Sequence, residues 1–145
     1  MITSALTMLL LAQTAKPEFS VSVKPGKSGA ISGTVTVKLP EGWHAYQNPP
    51  KSEYENPLKI ESKTKGFKLT KVSYPKGEAL KSSGSETLGY VGNVEIPFEG
   101  KFDTSIKPTK GTYSVVIEVS YQICSDRSCI APDSTKLKIK WKATK

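Results

Sequence analysis

The sequence has little of what most catalytic and binding signatures require. It contains two cysteines, one histidine and two tryptophans. Two cysteines and one distant histidine do not complete a soft-metal site by themselves. No phosphate-cradling glycine loop and no Ser-His-Asp set can be assembled, which argues against a hydrolase. No stretch repeats apolar residues at a 3.6-residue period with helix caps, so helix is not expected. No Cys-x-x-Cys precedes a helix, which excludes a thioredoxin fold. No apolar run is long enough to serve as a permanent membrane span.

The 145 residues suit one domain and are too few for two ordinary ones. A domain of this size buries enough surface to fold without staples. The hydrophobic fraction of 37% and mean hydropathy of -0.34 fit a water-soluble chain. Eleven glycines and ten prolines lie scattered between short apolar runs, the mark of many turns and an all-β domain. The formal net charge is +8, but the lysines are spread along the chain. Many alternate with apolar residues, as Lys136, Lys138, Lys140 and Lys142 do, and read as the solvent face of strands. Without an arginine-rich cluster, an RNA-binding aromatic motif or zinc-finger spacing, nucleic-acid binding is not expected.

The first fifteen residues carry no charged side chain, and Ala5 to Leu11 is apolar except at Thr7. This predicts an export signal over residues 1–15, with cleavage after Ala15 and a mature domain over 16–145, although a positive n-region and a clean A-x-A site are missing. The expected location is periplasmic or secreted, with no membrane span once the signal is removed.

Beyond that segment the apolar period is two almost throughout. Phe19, Val21 and Val23 alternate with serines. Ile31, Gly33, Val35, Val37 and Leu39 alternate with polar residues up to a Pro40-Glu41-Gly42 turn. Further strands are predicted over 58–62, 67–73, 92–98, 112–123 and 136–142. Short strands with one apolar face each predict two packed antiparallel sheets, most simply an immunoglobulin-like sandwich. The expected core includes Val35, Val37, Val115, Ile117, Val119, Leu137 and Ile139, with Trp43 and Trp141. Tyr74 to Gly89 lacks alternation and reads as a long loop.

Cys124 and Cys129 fall between the longest strand and the last one, with four residues between them. A curled loop brings such positions close enough to bridge, and in an exported protein they oxidise. Closing so short a loop constrains the unfolded chain by only ~2 kcal/mol. A loop-borne, exposed disulfide is of the readily reduced kind. A redox role and a local staple both remain open on these grounds. Arg127 favours a thiolate and Asp126 opposes it. His44, beside Trp43, is a candidate for tuning a thiol, against the plainer reading of a satisfied structural histidine. Asn48-Pro49-Pro50 reads as a rigid loop.

Three segments, GWHAYQNPP, GYVGNVEIPF and YQICSDRSCIAP, together resemble the N-terminal periplasmic domain family of the thiol reductase DsbD, over roughly Phe19 to Trp141. The late motif, Tyr-Gln-x-Cys with a nearby Cys-x-x-Pro, is the most specific. The resemblance implies an immunoglobulin-like domain that takes electrons from a thioredoxin-like domain and passes them to periplasmic thiol proteins. It implies that Cys124 and Cys129 are the redox pair, with Cys129 forming the mixed disulfide and Cys124 resolving it. It places Tyr46 near the pair, and Tyr90 of the middle motif is a further supporting candidate. No cofactor beyond the disulfide is implied. The better-known members have one more residue between the cysteines and an aromatic cap loop; the matching region here, residues 79–86, has no aromatic residue. No thioredoxin-like domain follows in this chain, so the expected donor acts in trans. The alternative is a non-catalytic β-sandwich binding module with a passive disulfide.

Overall fold

The computed structural model describes residues 15–80 and 87–144. The expected signal segment lies outside the described residues except for Ala15, which packs against the core. The strands are β1 (Glu18–Pro25), β2 (Ala30–Lys38), β3 (His44–Tyr46), β4 (Lys59–Ser62), β5 (Phe67–Val72), β6 (Glu78–Leu80), β7 (Thr87–Tyr90), β8 (Asn93–Phe102), β9 (Thr112–Tyr121), β10 (Ile123–Cys124) and β11 (Asp133–Lys142). No helix occurs among the described residues.

The ladders are antiparallel and run β1-β2-β8-β5, β11-β9-β4 and β10-β3-β7-β6. The period-two pattern explains them directly, since successive side chains of a strand point to opposite faces. β8 alternates exposed and buried residues along its whole length, burying Val94, Ile96, Phe98, Gly100 and Phe102. β9 buries Tyr113, Val115, Ile117 and Val119, and β2 supplies Ile31, Val35 and Val37. These inner faces make one hydrophobic core. At one end Phe67, Phe102, Tyr113 and Trp141 pack ring against ring across the first two ladders, with Phe102 stacked on Tyr113 at 5.1 Å. Such pairs add about 0.5–1.5 kcal/mol each beyond their buried area.

The all-β antiparallel sandwich stands as expected, with three differences. The run 112–123 is two strands rather than one. At Gln122 the chain leaves its ladder with β11 and β4 and pairs instead with β3, so a third, smaller ladder joins the two main ones. Tyr74 to Gly89 is not one loop: β6 and β7 form an antiparallel pair there, and β7 also pairs with β3. This needs Gly89, because a Cβ at that position would lie 2.6 Å from the Ala45 carbonyl oxygen. Leu137 is half-buried rather than core, since burial on the edge strand β11 begins only at Ile139, whereas its partner Ile117 is fully covered. Trp141 is buried and Trp43 half-buried against the core.

Candidate functional site

β3 and β10 build the site. Ile123 pairs with Ala45 and Cys124 with His44. Directly opposed residues of an antiparallel pair share a face. Cys124, His44 and Tyr46 therefore lie on one side, while Ile123, Ala45 and Tyr90 share the other and are buried in the core.

Beyond Cys124 the chain turns through Ser125–Ser128 and comes back at Cys129. The Ser125 amide donates to the Ser128 carbonyl at 2.7 Å, and the Ile130 amide to the Ile123 carbonyl at 3.0 Å. Ser125 Oγ accepts the amides of Arg127 and Ser128, each at 3.2 Å. These bonds flank the cysteines and leave them as a non-hydrogen-bonded antiparallel pair, the position where facing residues come closest. Their Cα atoms are 4.0 Å apart and the sulfurs are joined in a disulfide. Gln122 braces the neck of this hairpin: its Nε2 donates to the Ile130 carbonyl at 3.2 Å and its Oε1 accepts Asn56 Nδ2 at 2.9 Å.

The two sulfurs sit in different surroundings. Cys124 is buried, at 2% exposure, whereas Cys129 is exposed. The Tyr46 hydroxyl lies 3.6 Å from Cys124 Sγ. A disulfide sulfur has no proton to give, so the hydroxyl is the donor. His44 meets the Tyr46 ring edge-on at 5.9 Å, and burial holds its pKa below the ordinary 6.5. The imidazole is therefore neutral at neutral pH.

The structure thus gathers Cys124, Cys129, Tyr46 and His44. Arg127 stands exposed at the tip of the loop and enters no ion pair among the described residues. Tyr90 is not brought to the disulfide. Its hydroxyl donates to the Pro75 carbonyl at 2.7 Å and accepts the Asn48 amide at 3.1 Å, pinning the loop that holds the cis Asn48-Pro49 bond. Of the region matching the family's cap, Ala79 and Leu80 are in β6, and 81–86 lie outside the described residues. The bracing by Gln122 and Asn56 and the clasp by Ser125 escape a sequence reading. The serines at both ends of the Cys124–Cys129 interval are the one local hint, since such hydroxyls cap short turns. Among the described residues no three His, Cys, Asp or Glu side chains gather as a metal set, and no helix is long and apolar enough to cross a membrane.

Two solved structures share this architecture. The N-terminal periplasmic domain of ScsB from Proteus mirabilis superposes with a TM-score of 0.66 at 19% identity, over 90% of this chain and 49% of that one. This chain therefore spans about half of the ScsB domain's length. The N-terminal domain of Neisseria meningitidis DsbD, in its reduced form, superposes with a TM-score of 0.53 at 14% identity, over 87% of this chain and 90% of that one. At these identities the likeness is one of fold, the immunoglobulin-like sandwich. No curated protein matches the sequence. The family of the N-terminal region of the thiol:disulfide interchange protein DsbD matches residues 10–140, a span that takes in all eleven strands but the last two residues of β11, and the disulfide hairpin. On that match the chain belongs to the DsbD N-terminal domain family.

Proposed function

We propose that this domain is a thiol–disulfide exchange module that works through Cys124 and Cys129. The observation that carries the reading is the asymmetry of the bridge: one cysteine exposed at a hairpin neck, the other buried beneath a tyrosine hydroxyl. Exchange requires in-line attack of a thiolate on an accessible sulfur. Cys129 meets that requirement and Cys124 does not.

The reaction then runs in two halves. A thiolate of a thioredoxin-like donor, acting in trans, attacks Cys129 Sγ. The Cys124–Cys129 bond breaks, and Cys124 leaves as a thiolate that accepts the Tyr46 O–H. A hydrogen bond to the charged form stabilises it and makes it the better leaving group. The donor's second thiol then attacks its own sulfur in the mixed disulfide, so the donor departs oxidised and this domain holds the dithiol. In the second half the Cys129 thiolate attacks the disulfide of a partner protein, forming a mixed disulfide through Cys129 and releasing one partner thiolate. Cys124 attacks Cys129 Sγ, restores the internal bridge and frees the partner as a dithiol. Two electrons pass from donor to partner. Tyr46 acts on the leaving sulfur directly, and His44, edge-on to the Tyr46 ring, is a positioning residue in this scheme. Arg127, at the loop tip, offers positive charge near the exposed sulfur. The bridge itself fits an oxidising compartment, periplasmic or extracellular.

The test is trapping. Cys124→Ser is expected to accumulate an adduct with its partner through Cys129, and Cys129→Ser to accumulate little. A Cys124→Ser protein that captures nothing, together with wild type inert to every reduced thioredoxin-like protein offered, overturns the reading in favour of a binding module with a passive staple.

A further inference from the structure

The charge of the molecule is sorted along the strands. The turns after β1, β4 and β8 gather at the end of the sandwich away from the disulfide: the Phe102 amide bonds to the Gly29 carbonyl, the Asp103 amide to the Gly66 carbonyl, and the Ala143 amide to the Gly111 carbonyl. Thr144 Oγ1 joins the same end by donating to the Gly26 carbonyl at 2.6 Å. Lys27, Lys65, Lys107 and Lys110 lie on these turns. Lys24, Lys68, Lys101, Lys140 and Lys142 lie on the strand ends that feed them. All nine are exposed. The acidic complement on those turns and strand ends is Asp103 and Glu99, the latter level with Lys24 across Ser32. Lys63, which opens the turn after β4, is taken up by Glu61 and Glu118 at 3.6 Å each; the pairs Lys38–Glu18 and Lys59–Glu61 lie elsewhere, and none of the nine enters an ion pair among the described residues. Unpaired positive charge is thus concentrated at one pole.

A second feature marks the same pole. Ile106 stands in the β8–β9 turn as one of the few large apolar side chains with substantial exposure, 36%. It rests against Gly66, where an added Cβ would come within 3.0 Å of it. It is flanked by Lys107 and Pro108, above a depression of about 650 Å³ lined by Lys65, Lys107, Lys110 and Lys140. An apolar side chain among unpaired lysines suits an interface that is anionic at its surface and apolar just beneath it. Lysine stems bury along such an interface while their ammonium groups stay with the anions.

We propose that this lysine pole is a docking surface for an anionic phospholipid membrane. The geometry has a consequence for the reading of the disulfide, though it does not depend on it. β9 runs ten residues from the pole toward the hairpin, a rise of about 30 Å. A domain seated on lipid by its lysines holds Cys129 on the far side, facing the aqueous compartment. A duplex nucleic acid offers the same negative charge but no apolar layer for Ile106, so the lipid surface is the better fit.

Co-sedimentation with phospholipid vesicles tests this. The wild-type chain is expected to pellet with phosphatidylglycerol–phosphatidylcholine vesicles at low ionic strength, to be released by added salt, and to ignore pure phosphatidylcholine. Lys107→Glu with Lys110→Glu is expected to weaken binding roughly tenfold or more. Lys38→Glu with Lys76→Glu changes net charge equally but away from the pole, and is expected to weaken it about twofold at most. Ile106→Ser is expected to weaken vesicle binding while leaving any binding to duplex DNA unchanged. Thermal unfolding checks that each variant is folded. Absence of binding to the anionic vesicles overturns the proposal. So does an equal loss from both charge reversals, or DNA binding as tight as vesicle binding with Ile106→Ser without effect on either.

Discussion

Replacing Cys124 and Cys129 together by alanine separates a redox pair from a staple. The bridge spans a sequence separation of 5, so it closes a loop of six residues. The chain-entropy relation gives a loss of about 2 kcal/mol when such a link is removed. Other bonds hold the hairpin closed without it: the Ser125–Ser128 and Ile130–Ile123 backbone bonds and the Gln122 bridge to Ile130 and Asn56. The expected loss is therefore about 2 kcal/mol at most. With a urea m-value of about 1–3 kcal/mol/M, the unfolding midpoint falls by about 0.7–2 M at most with the slope unchanged. Equilibrium urea unfolding followed by tryptophan fluorescence reads this out, and the same protein is expected to be inert in exchange with a reduced thioredoxin-like protein. A loss above about 4 kcal/mol, or a changed slope, would refute the reasoning: the bridge would then hold more than its own hairpin.

Tyr46→Phe removes the donor to Cys124 Sγ; stability is expected to change by about 1 kcal/mol or less, while the reduction potential falls and reduction by a thioredoxin-like donor slows, measured by redox titration and stopped flow. Tyr90→Phe leaves the Asn48 amide and the Pro75 carbonyl without their partner and is expected to cost about 1–3 kcal/mol in urea unfolding, with exchange rates unaltered because the ring lies on the core side. Ile117→Ala, at a fully buried site, is expected to cost about 2–5 kcal/mol; a loss well under about 1 would mean the core face is misassigned. His44 has a folded pKa depressed by burial, so the unfolded chain binds its proton first. Its contribution to stability is full above the unfolded value of 6.5, is lost as pH falls from there toward the lower folded pKa, and is flat below that. The difference between wild type and His44→Gln in unfolding free energy across that window isolates it from the carboxylates.

Strand placement was legible in the sequence because the inward and outward alternation of a strand is a local property. The apolar parity of Ile31 to Leu39 and of Thr112 to Val119 is the parity of the structure. The cysteine hairpin was legible for the same reason, since a separation of 5 leaves little freedom in how the two ends meet. What surrounds the hairpin was not legible in the local pattern; only the family resemblance placed Tyr46 near the pair. β3, β6 and β7 are three or four residues long, too short for alternation to register; β3 and β7 are strands because they find partners far along the chain, and β6 because it then pairs with β7. That pairing put Tyr46, 78 residues from Cys124, over its sulfur, and the register of Ala45 with Tyr90 turned Tyr90 into the core. Leu137, in the outer half of the edge strand β11, is half-covered despite its apolar character, while Ile139 and Trp141 further along are buried. The lysines were visible one by one, but their gathering at one pole follows from which turns the antiparallel ladders bring together. Local pattern decided which side chains point inward; long-range pairing decided which of them meet, and the difference between an exposed Cys129 and a covered Cys124 belongs to the second.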